Sequence, residues 1–298
     1  MLANKFIGTG VPTITPFKTD GSVDLEALGR LINHIIDGGI DYIVALGTTS
    51  EICTLSKVEQ DAIVKKTVET VRGRVPIVVG IGGNNTAECV EILKTYDFTG
   101  IDGILSVVPY YNKPTQEGIY LHFSAIAKAC PVPIILYNIP PRCVVNMDVE
   151  TTIRLANDHP NIIALKDSSN DMEHCQKIIQ HKGKPNDFLV ISGDDGTALE
   201  LIEMGGVGVI SVMANALPVQ VSSMIRAGVS GDFEKAKKEF SEYQHLVPFL
   251  FEEGNPTGAK SIISLLGFCE DTLRLPLVKS TNSLKSRIQT AFEPFVKG

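Results

Sequence analysis

The chain has no C-x-x-C pair, no H-x-x-x-H spacing, no block of like charges and no apolar run approaching the length that crosses a membrane. Each absence excludes a class of protein. A spanning helix needs about 20 consecutive apolar residues, so none is expected, and the start Met1-Leu2-Ala3-Asn4-Lys5-Phe6 lacks the apolar core of a secretion signal. The cytoplasm is therefore the expected location. The six cysteines (Cys53, Cys89, Cys130, Cys143, Cys175, Cys269) are scattered, which suits reduced thiols packed as small apolar groups better than a disulfide framework. Of the six histidines only His174 has a cysteine neighbour, Cys175, and that is not a metal-ligand spacing. The expected chemistry uses neither metal nor cofactor. A net charge of -7, spread along the chain, argues against nucleic acid or an anionic membrane as partner.

What is present is an ordinary globular composition, with 298 residues, 44% hydrophobic and 20% charged, enough for one large domain with an appendage. Short β-branched runs alternate with longer amphipathic segments. The pattern predicts strands over 7–14, 41–46, 75–81, 103–108, 132–137, 162–166, 188–191 and 208–212. Helices are predicted over 24–37, 57–71, 86–96, 115–129, 148–157, 171–180, 197–204 and 218–227. The strands read as continuous apolar runs, the pattern of a parallel sheet buried on both faces. Eight such cycles predict a closed (β/α)8 TIM barrel over residues 1–229. An open doubly wound sheet is the competitor, but the Gly-rich turn Gly80-Ile81-Gly82-Gly83-Asn84-Asn85 has no acidic ribose partner placed after it. That turn reads as a tight βα loop. Residues 230–298 carry only helical patterns, at 232–250, 257–266 and 283–295, and form a three-helix appendage expected to serve docking or oligomerisation.

In such a barrel, chemistry belongs at the C-terminal ends of strands. Those ends carry Thr48-Thr49, Pro109-Tyr110-Tyr111-Asn112, Tyr137-Asn138 with Arg142, Lys166, and Ser192-Gly193-Asp194-Asp195. Strand alternation puts Lys166, Ala164 and Ile162 on one face, with Ala164 giving room and Ile162 flooring the pocket, while Asp167 points away. Tyr137, on the adjacent strand, shares its face with Ile135. A free lysine titrates near 10.4, so attack on a ketone requires desolvation or nearby positive charge. Apolar walls would desolvate it, a tyrosine would shuttle the protons of carbinolamine dehydration, and a threonine would relay them. The amides of the Gly47-Thr48-Thr49 turn suit one carboxylate and Arg142 a second.

Each residue alone has a plainer reading. The threonines could cap a turn, the tyrosines could pack a rim, Arg142 could sit on the surface and Lys166 could snorkel from a strand end. The pair Asp194-Asp195 reads as helix N-terminal capping ahead of Thr197. A non-catalytic barrel binding an anion through Gly193, Gly205, Gly206 and Gly208 is the alternative of another class, weakened because that stretch has no nearby Lys or Arg.

The motifs Gly47-Thr48-Thr49-Ser50-Glu51, the run from Pro109 to Gly118, the run from Leu136 to Arg142, Ala164-Leu165-Lys166-Asp167, Ser192-Gly193-Asp194-Asp195 and Gly208-Val209-Ile210-Ser211 occur in an order spanning the whole barrel. With them the chain resembles the pyruvate-dependent class I aldolase and lyase superfamily, and within it the dihydrodipicolinate synthase family. The resemblance implies condensation of pyruvate with aspartate semialdehyde in lysine and diaminopimelate biosynthesis. Lys166 would form the Schiff base, and Tyr137 would shuttle protons. Thr48 would link Tyr137 to Tyr111, which a neighbouring subunit would contribute across a dimer interface. Thr48 and Thr49 would hold the pyruvate carboxylate, Gly193 and Ile210 would line the pocket through their backbones, and Arg142 would bind the semialdehyde carboxylate. A homotetramer, a dimer of dimers, is implied. Sister enzymes with the same lysine, an N-acetylneuraminate lyase or a 2-keto-3-deoxy sugar acid aldolase, are the alternatives.

The chain departs from the family pattern at three places. Ser50 stands where the family has glycine, placing a side chain beside the carboxylate site. The family's lysine-feedback pocket resembles this chain at Asn84, Glu88 and Tyr110, but Ile52 replaces a small residue and Lys57 a histidine. Weak or absent inhibition by lysine is the expectation.

Overall fold

In a computed structural model of the chain, which describes residues 2–181, 183–185 and 187–296, eight parallel strands close into a barrel in chain order. They are β1 (Gly8–Pro12), β2 (Tyr42–Ala45), β3 (Ile77–Gly80), β4 (Gly103–Val107), β5 (Ile134–Asn138), β6 (Ile162–Asp167), β7 (Leu189–Ser192) and β8 (Gly208–Ile210). Helices α1 (Leu25–Asp37), α2 (Lys57–Val71), α3 (Thr86–Thr95) and α4 (Gln116–Ala129) follow the first four strands in turn. After β5 come the short α5 (Pro140–Cys143) and α6 (Val149–Asp158), then α7 (Met172–Gln180), α8 (Ala198–Glu203) and α9 (Pro218–Val229) after the last three strands.

The predicted strands are present but shorter, and the ends show why. Beyond Pro12 the Ile14 amide bonds to the Asn215 side chain at 3.3 Å instead of to a strand. Beyond Ile210 the Val212 amide is taken by the Asp195 carboxylate at 2.9 Å. Helix starts follow the sequence signals closely: Asp24, Ser56, Asn85, Thr115, Asp148 and Asp171 each accept the backbone N–H three residues on, and Ser56 with Glu59 completes a capping box. The glycine turn after β3 is structural in origin. A Cβ on Gly80 would lie 2.1 Å from the Leu46 carbonyl oxygen, a distance no side chain tolerates.

One expectation is corrected. The register between β5 and β6 shifts between Ile134 and Ile135, so that Ile134 pairs with Ile162 while Ile135 pairs with Ala164. Strict alternation down from Lys166 therefore ends at Ala164, and the placement of Ile162 as pocket floor, which assumed unbroken alternation, no longer follows.

After α9 the chain runs through α10 (Phe233–Tyr243), a 3-10 segment (Gln244–Leu250), α11 (Thr257–Leu265) and α12 (Asn282–Val296), with no strand among the described residues. The helix α10 packs on α9, while α11 is fastened to the mouth of the barrel by a buried ion pair. There Lys260 Nζ lies 2.5 Å from Glu51 Oε1, with both side chains 0% exposed. No helix among the described residues is long and apolar enough to cross a membrane.

Candidate active site

The last two rungs of the β5–β6 ladder pair Tyr137 with Lys166 and Asn138 with Asp167. Lys166 and Tyr137 are each 5% exposed, and the lysine Nζ sits 4.1 Å from the centre of the tyrosine ring. The sequence-level expectation that the two meet on adjacent strands is thus met in the structure. The sheet supplies the apolar surroundings, because Ile135, Ala164 and Ile191 are all buried around the same rungs. Gly193 follows β7 beside them, and its amide donates to the Asp167 carbonyl at 2.6 Å. A Cβ at that position would stand 2.9 Å from Lys166 Cε and 1.9 Å from Ser168 Oγ, so glycine is what lets the strand end approach the amine. Ile210 is buried on β8 opposite Gly10 of β1.

After β2, residues Thr48–Ser50 form a single 3-10 turn closed by Glu51 in the left-handed conformation. Ser50 is bonded back across this turn. Its side chain is buried and faces back, the hydroxyl donating to the Gly47 carbonyl at 2.6 Å, while its own carbonyl accepts from Thr15 Oγ1 at 2.8 Å. Thr49 Oγ1 accepts from the Asn255 side-chain amide at 3.0 Å, and the Asn255 carbonyl accepts from Arg142 Nη2 at 3.4 Å. One appendage residue thereby joins the two positions expected to hold the two carboxylates. Asn255 is a site residue that sequence reasoning missed, since nothing in its local pattern says that the chain returns to the barrel mouth there.

A cavity of about 350 Å³ opens between these groups. Thr48, Tyr137, Arg142, Tyr110 and Asn255 line it, together with Leu277 from the appendage. Tyr111 does not line it: the side chain is 89% exposed on a residue with φ of 73°. Of the expected site residues, Thr48, Tyr137 and Arg142 line this cavity, Lys166 adjoins it through the Tyr137 ring and Thr49 through Asn255, whereas Gly193, Ile210 and Tyr111 are not part of its lining. Asn84 and Tyr110 are joined, Asn84 Nδ2 donating to the Tyr110 carbonyl at 3.0 Å, and Glu88 lies in the first turn of α3 just beyond. Burial raises the Tyr110 phenol above its ordinary value.

The pair Asp194-Asp195 splits its duties. Asp194 Oδ1 accepts from the Gly196 and Thr197 amides at 2.8 and 3.1 Å, a turn-closing role near that expected. Asp195 is instead buried, accepting from the Ser211 hydroxyl and from the Val212 and Met213 amides, so the capping expected of it is corrected: it ties the loop after β7 to the loop after β8. Among the described residues no cluster of three or more His, Cys, Asp or Glu side chains is placed to hold a metal ion.

A closed barrel that brings a buried lysine amine against a phenol at its C-terminal mouth has the layout of the aldolase and lyase class of barrel enzymes. Comparison with known proteins narrows the class. Residues 5–294 match the model of the Dihydrodipicolinate synthetase family. The chain is 50% identical over 283 residues to the 4-hydroxy-tetrahydrodipicolinate synthase of Flavobacterium psychrophilum, covering 95% of this chain and 96% of that one. It is 52% identical over 271 residues to the enzyme of the same name from Parabacteroides distasonis, covering 91% of each. The crystal structure of dihydrodipicolinate synthase from Aquifex aeolicus superposes with a TM-score of 0.93 at 40% identity, covering 97% of this chain and 98% of that one. The chain belongs to the dihydrodipicolinate synthetase family.

Proposed function

We infer that the chain acts as a 4-hydroxy-tetrahydrodipicolinate synthase of lysine biosynthesis, with pyruvate and aspartate semialdehyde as substrates. The observation that carries the residue-level reading is the Lys166 Nζ held over the Tyr137 ring on adjacent strands at the barrel mouth. Lys166 adds to the pyruvate ketone and water leaves, giving an imine. Loss of a methyl proton makes the enamine, whose carbon attacks the aldehyde, and the substrate's own amine then closes the ring and releases Lys166. Tyr137 is the phenol next to the amine and serves as proton shuttle, with Thr48 in the same cavity as relay. The Thr48 and Thr49 amides and hydroxyls receive the pyruvate carboxylate, and the backbones of Gly193 and Ile210 shape the floor.

Arg142 takes the carboxylate of the second substrate. Tyr111, exposed in the single chain, is assigned to the site of a neighbouring subunit in a dimer of dimers, where it completes the hydroxyl relay. We further propose that residues 1–229 carry the chemistry and 230–298 brace its rim, through Asn255 and Lys260. Cytoplasmic placement fits pathway substrates made inside the cell. Of the sister activities, cleavage of polyhydroxy acids is the poorer fit, because a guanidinium at the rim suits a short carboxylated aldehyde better than a sugar chain.

Borohydride reduction in the presence of pyruvate tests the reading. A stable adduct mapped to Lys166, lost in Lys166→Ala, is the expected result. A folded protein that gains no mass would discard the Schiff-base assignment. Product formation with aspartate semialdehyde, measured against cleavage of sialic acid and keto-deoxy-gluconate, separates the synthase from its sister activities.

A further inference from the structure

One residue beyond the Tyr137–Lys166 rung, Asn138 pairs with Asp167, and strand alternation turns these two side chains to the opposite face of the sheet, toward the helix layer. Both are buried, at 0% and 4% exposure. A buried carboxylate is costly unless donors fill its lone pairs. Here they are filled: Asp167 Oδ2 accepts from Asn138 Nδ2 at 2.8 Å, and Oδ1 accepts from the Ser169 amide at 2.8 Å and hydroxyl at 2.5 Å. Asn138 is saturated in turn, since Nδ2 also donates to Asn146 Oδ1 at 2.7 Å and Oδ1 accepts from the Met147 amide at 3.1 Å. The same two residues also tie the strand ends by backbone bonds. Ser168 N donates to the Asn138 carbonyl at 2.8 Å, and Gly193 N to the Asp167 carbonyl at 2.6 Å, so β5, β6 and β7 converge at this pair. Its other titratable neighbours are His174, with Nε2 3.8 Å from Asp167 Oδ2, and Cys175, whose thiol is pushed up by burial and by the carboxylate.

Neither Asn138 nor Asp167 lines the cavity. What the pair does fix is register. Lower on the same two strands the register has already shifted, between Ile134 and Ile135. A one-residue slip higher up would turn Lys166 away from the face it shares with Tyr137 and bring Asp167 round in its place, because side chains alternate faces. A polar bond that only one register can satisfy, placed next to the reacting rung, forbids that slip.

We propose that Asn138 and Asp167 form a positioning pair, a buried hydrogen-bonded clamp outside the cavity that holds Lys166 against Tyr137 in the geometry for amine attack and proton transfer. This rests on the assignment of Lys166 as the amine that condenses with pyruvate. Misplacement of a reacting group by about 1 Å costs up to about a hundredfold in rate, so the clamp acts on rate more than on affinity.

Asn138→Asp sets two carboxylates against each other, and Asp167→Asn removes the charge and one acceptor. Each single variant lowers kcat and the rate of borohydride-trapped adduct formation on Lys166 by about tenfold or more, while the pyruvate KM moves by less than about threefold. The double variant Asn138→Asp with Asp167→Asn reverses donor and acceptor, remakes the bond, and returns both rates to within about threefold of the parent. Circular dichroism and thermal unfolding establish that each variant is folded at the assay temperature. Folded single variants that trap pyruvate at the parent rate would overturn the clamp, and so would a folded double variant as slow as either single. If a single variant does not fold, the double variant decides on the same criterion. A parent chain that forms no adduct at Lys166 would refute the Schiff-base assignment instead, a different result from failure of the clamp.

Discussion

Asp195 carries a carboxylate that spans the loops after β7 and β8, and burial pushes its pKa up to about 6 despite donors from Ser211, Val212 and Met213. The unfolded chain holds the same group near 3.8, so folding favours the protonated form. Its contribution is complete below about pH 4 and is lost as pH rises through about 6, an effect of about 3 kcal/mol. Urea unfolding of the parent and of Asp195→Asn at pH 4 and pH 7 isolates this term. The variant gains stability relative to the parent as pH rises across that window; parallel pH dependences would refute the assignment. Arg142 gives a second residue-scale test. If it grips the aldehyde's carboxylate, Arg142→Ala raises the semialdehyde KM at least about tenfold more than the pyruvate KM, in line with loss of a charge-assisted bond. Equal effects on both substrates would count against that role. Lys166, Tyr137 and the Thr48-Thr49 turn were legible in the sequence because strand ends of a barrel are predictable and their residue types are chemically specific. Asp195 was not, because a buried loop-to-loop carboxylate and a surface cap look alike until the fold brings Ser211 to it.

At the scale of elements, the contact between α11 and the turn after β2 links the appendage to the expected pyruvate site. Lys260 Nζ pairs with Glu51, donates to the Thr272 carbonyl at 2.8 Å and stands 3.9 Å from the centre of the Phe17 ring. Burial pulls the ammonium pKa down and Glu51 acts to hold it up. Glu51 Oε2 also accepts the Arg274 amide at 3.1 Å, and the Arg274 guanidinium binds Glu59 of α2 and the Gly21 and Thr54 carbonyls. Removing one partner of a buried pair strands the other charge and costs about 3–5 kcal/mol. Lys260→Met therefore lowers the unfolding free energy by that amount and, by loosening the turn that carries Thr48 and Thr49, raises the pyruvate KM. Combining it with Glu51→Gln recovers most of the stability, as urea titrations of the single and double variants would show; a double variant no better than Lys260→Met would argue that the pair is not coupled. The appendage helices themselves were legible from their amphipathic pattern. Their seat was not, since it depends on long-range pairing of Glu51 with Lys260 and of Thr49 with Asn255 that no local periodicity encodes. The register shift in β5–β6 escaped for the same reason, being a property of two strands together.

For the whole molecule the open question is regulation at the corner formed by Asn84, Glu88 and Tyr110. The family's feedback inhibitor is a cation, and the resemblance places Ile52 and Lys57 where the family has a small residue and a histidine. In the structure Ile52 lines the cavity beside Tyr110, taking up volume there. Lys57 Nζ is 2.8 Å from Asp61 and 5.1 Å from the centre of the Tyr96 ring, with a side chain 60% exposed, so its charge is only partly offset. If a lysine ligand binds at this corner as the resemblance implies, Ile52 would act as a steric barrier and the Lys57 charge as an electrostatic one, each weakening binding by a different route. Lysine titration of the synthase activity is therefore expected to show little inhibition, and half-inhibition at sub-millimolar lysine would refute this. The pair of causes can be separated. Lys57→His removes the repulsion and Ile52→Ala the obstruction, and the two together raise lysine sensitivity by about tenfold or more over either alone if both barriers operate. A double variant still indifferent to lysine would place the determinant elsewhere in the assembly.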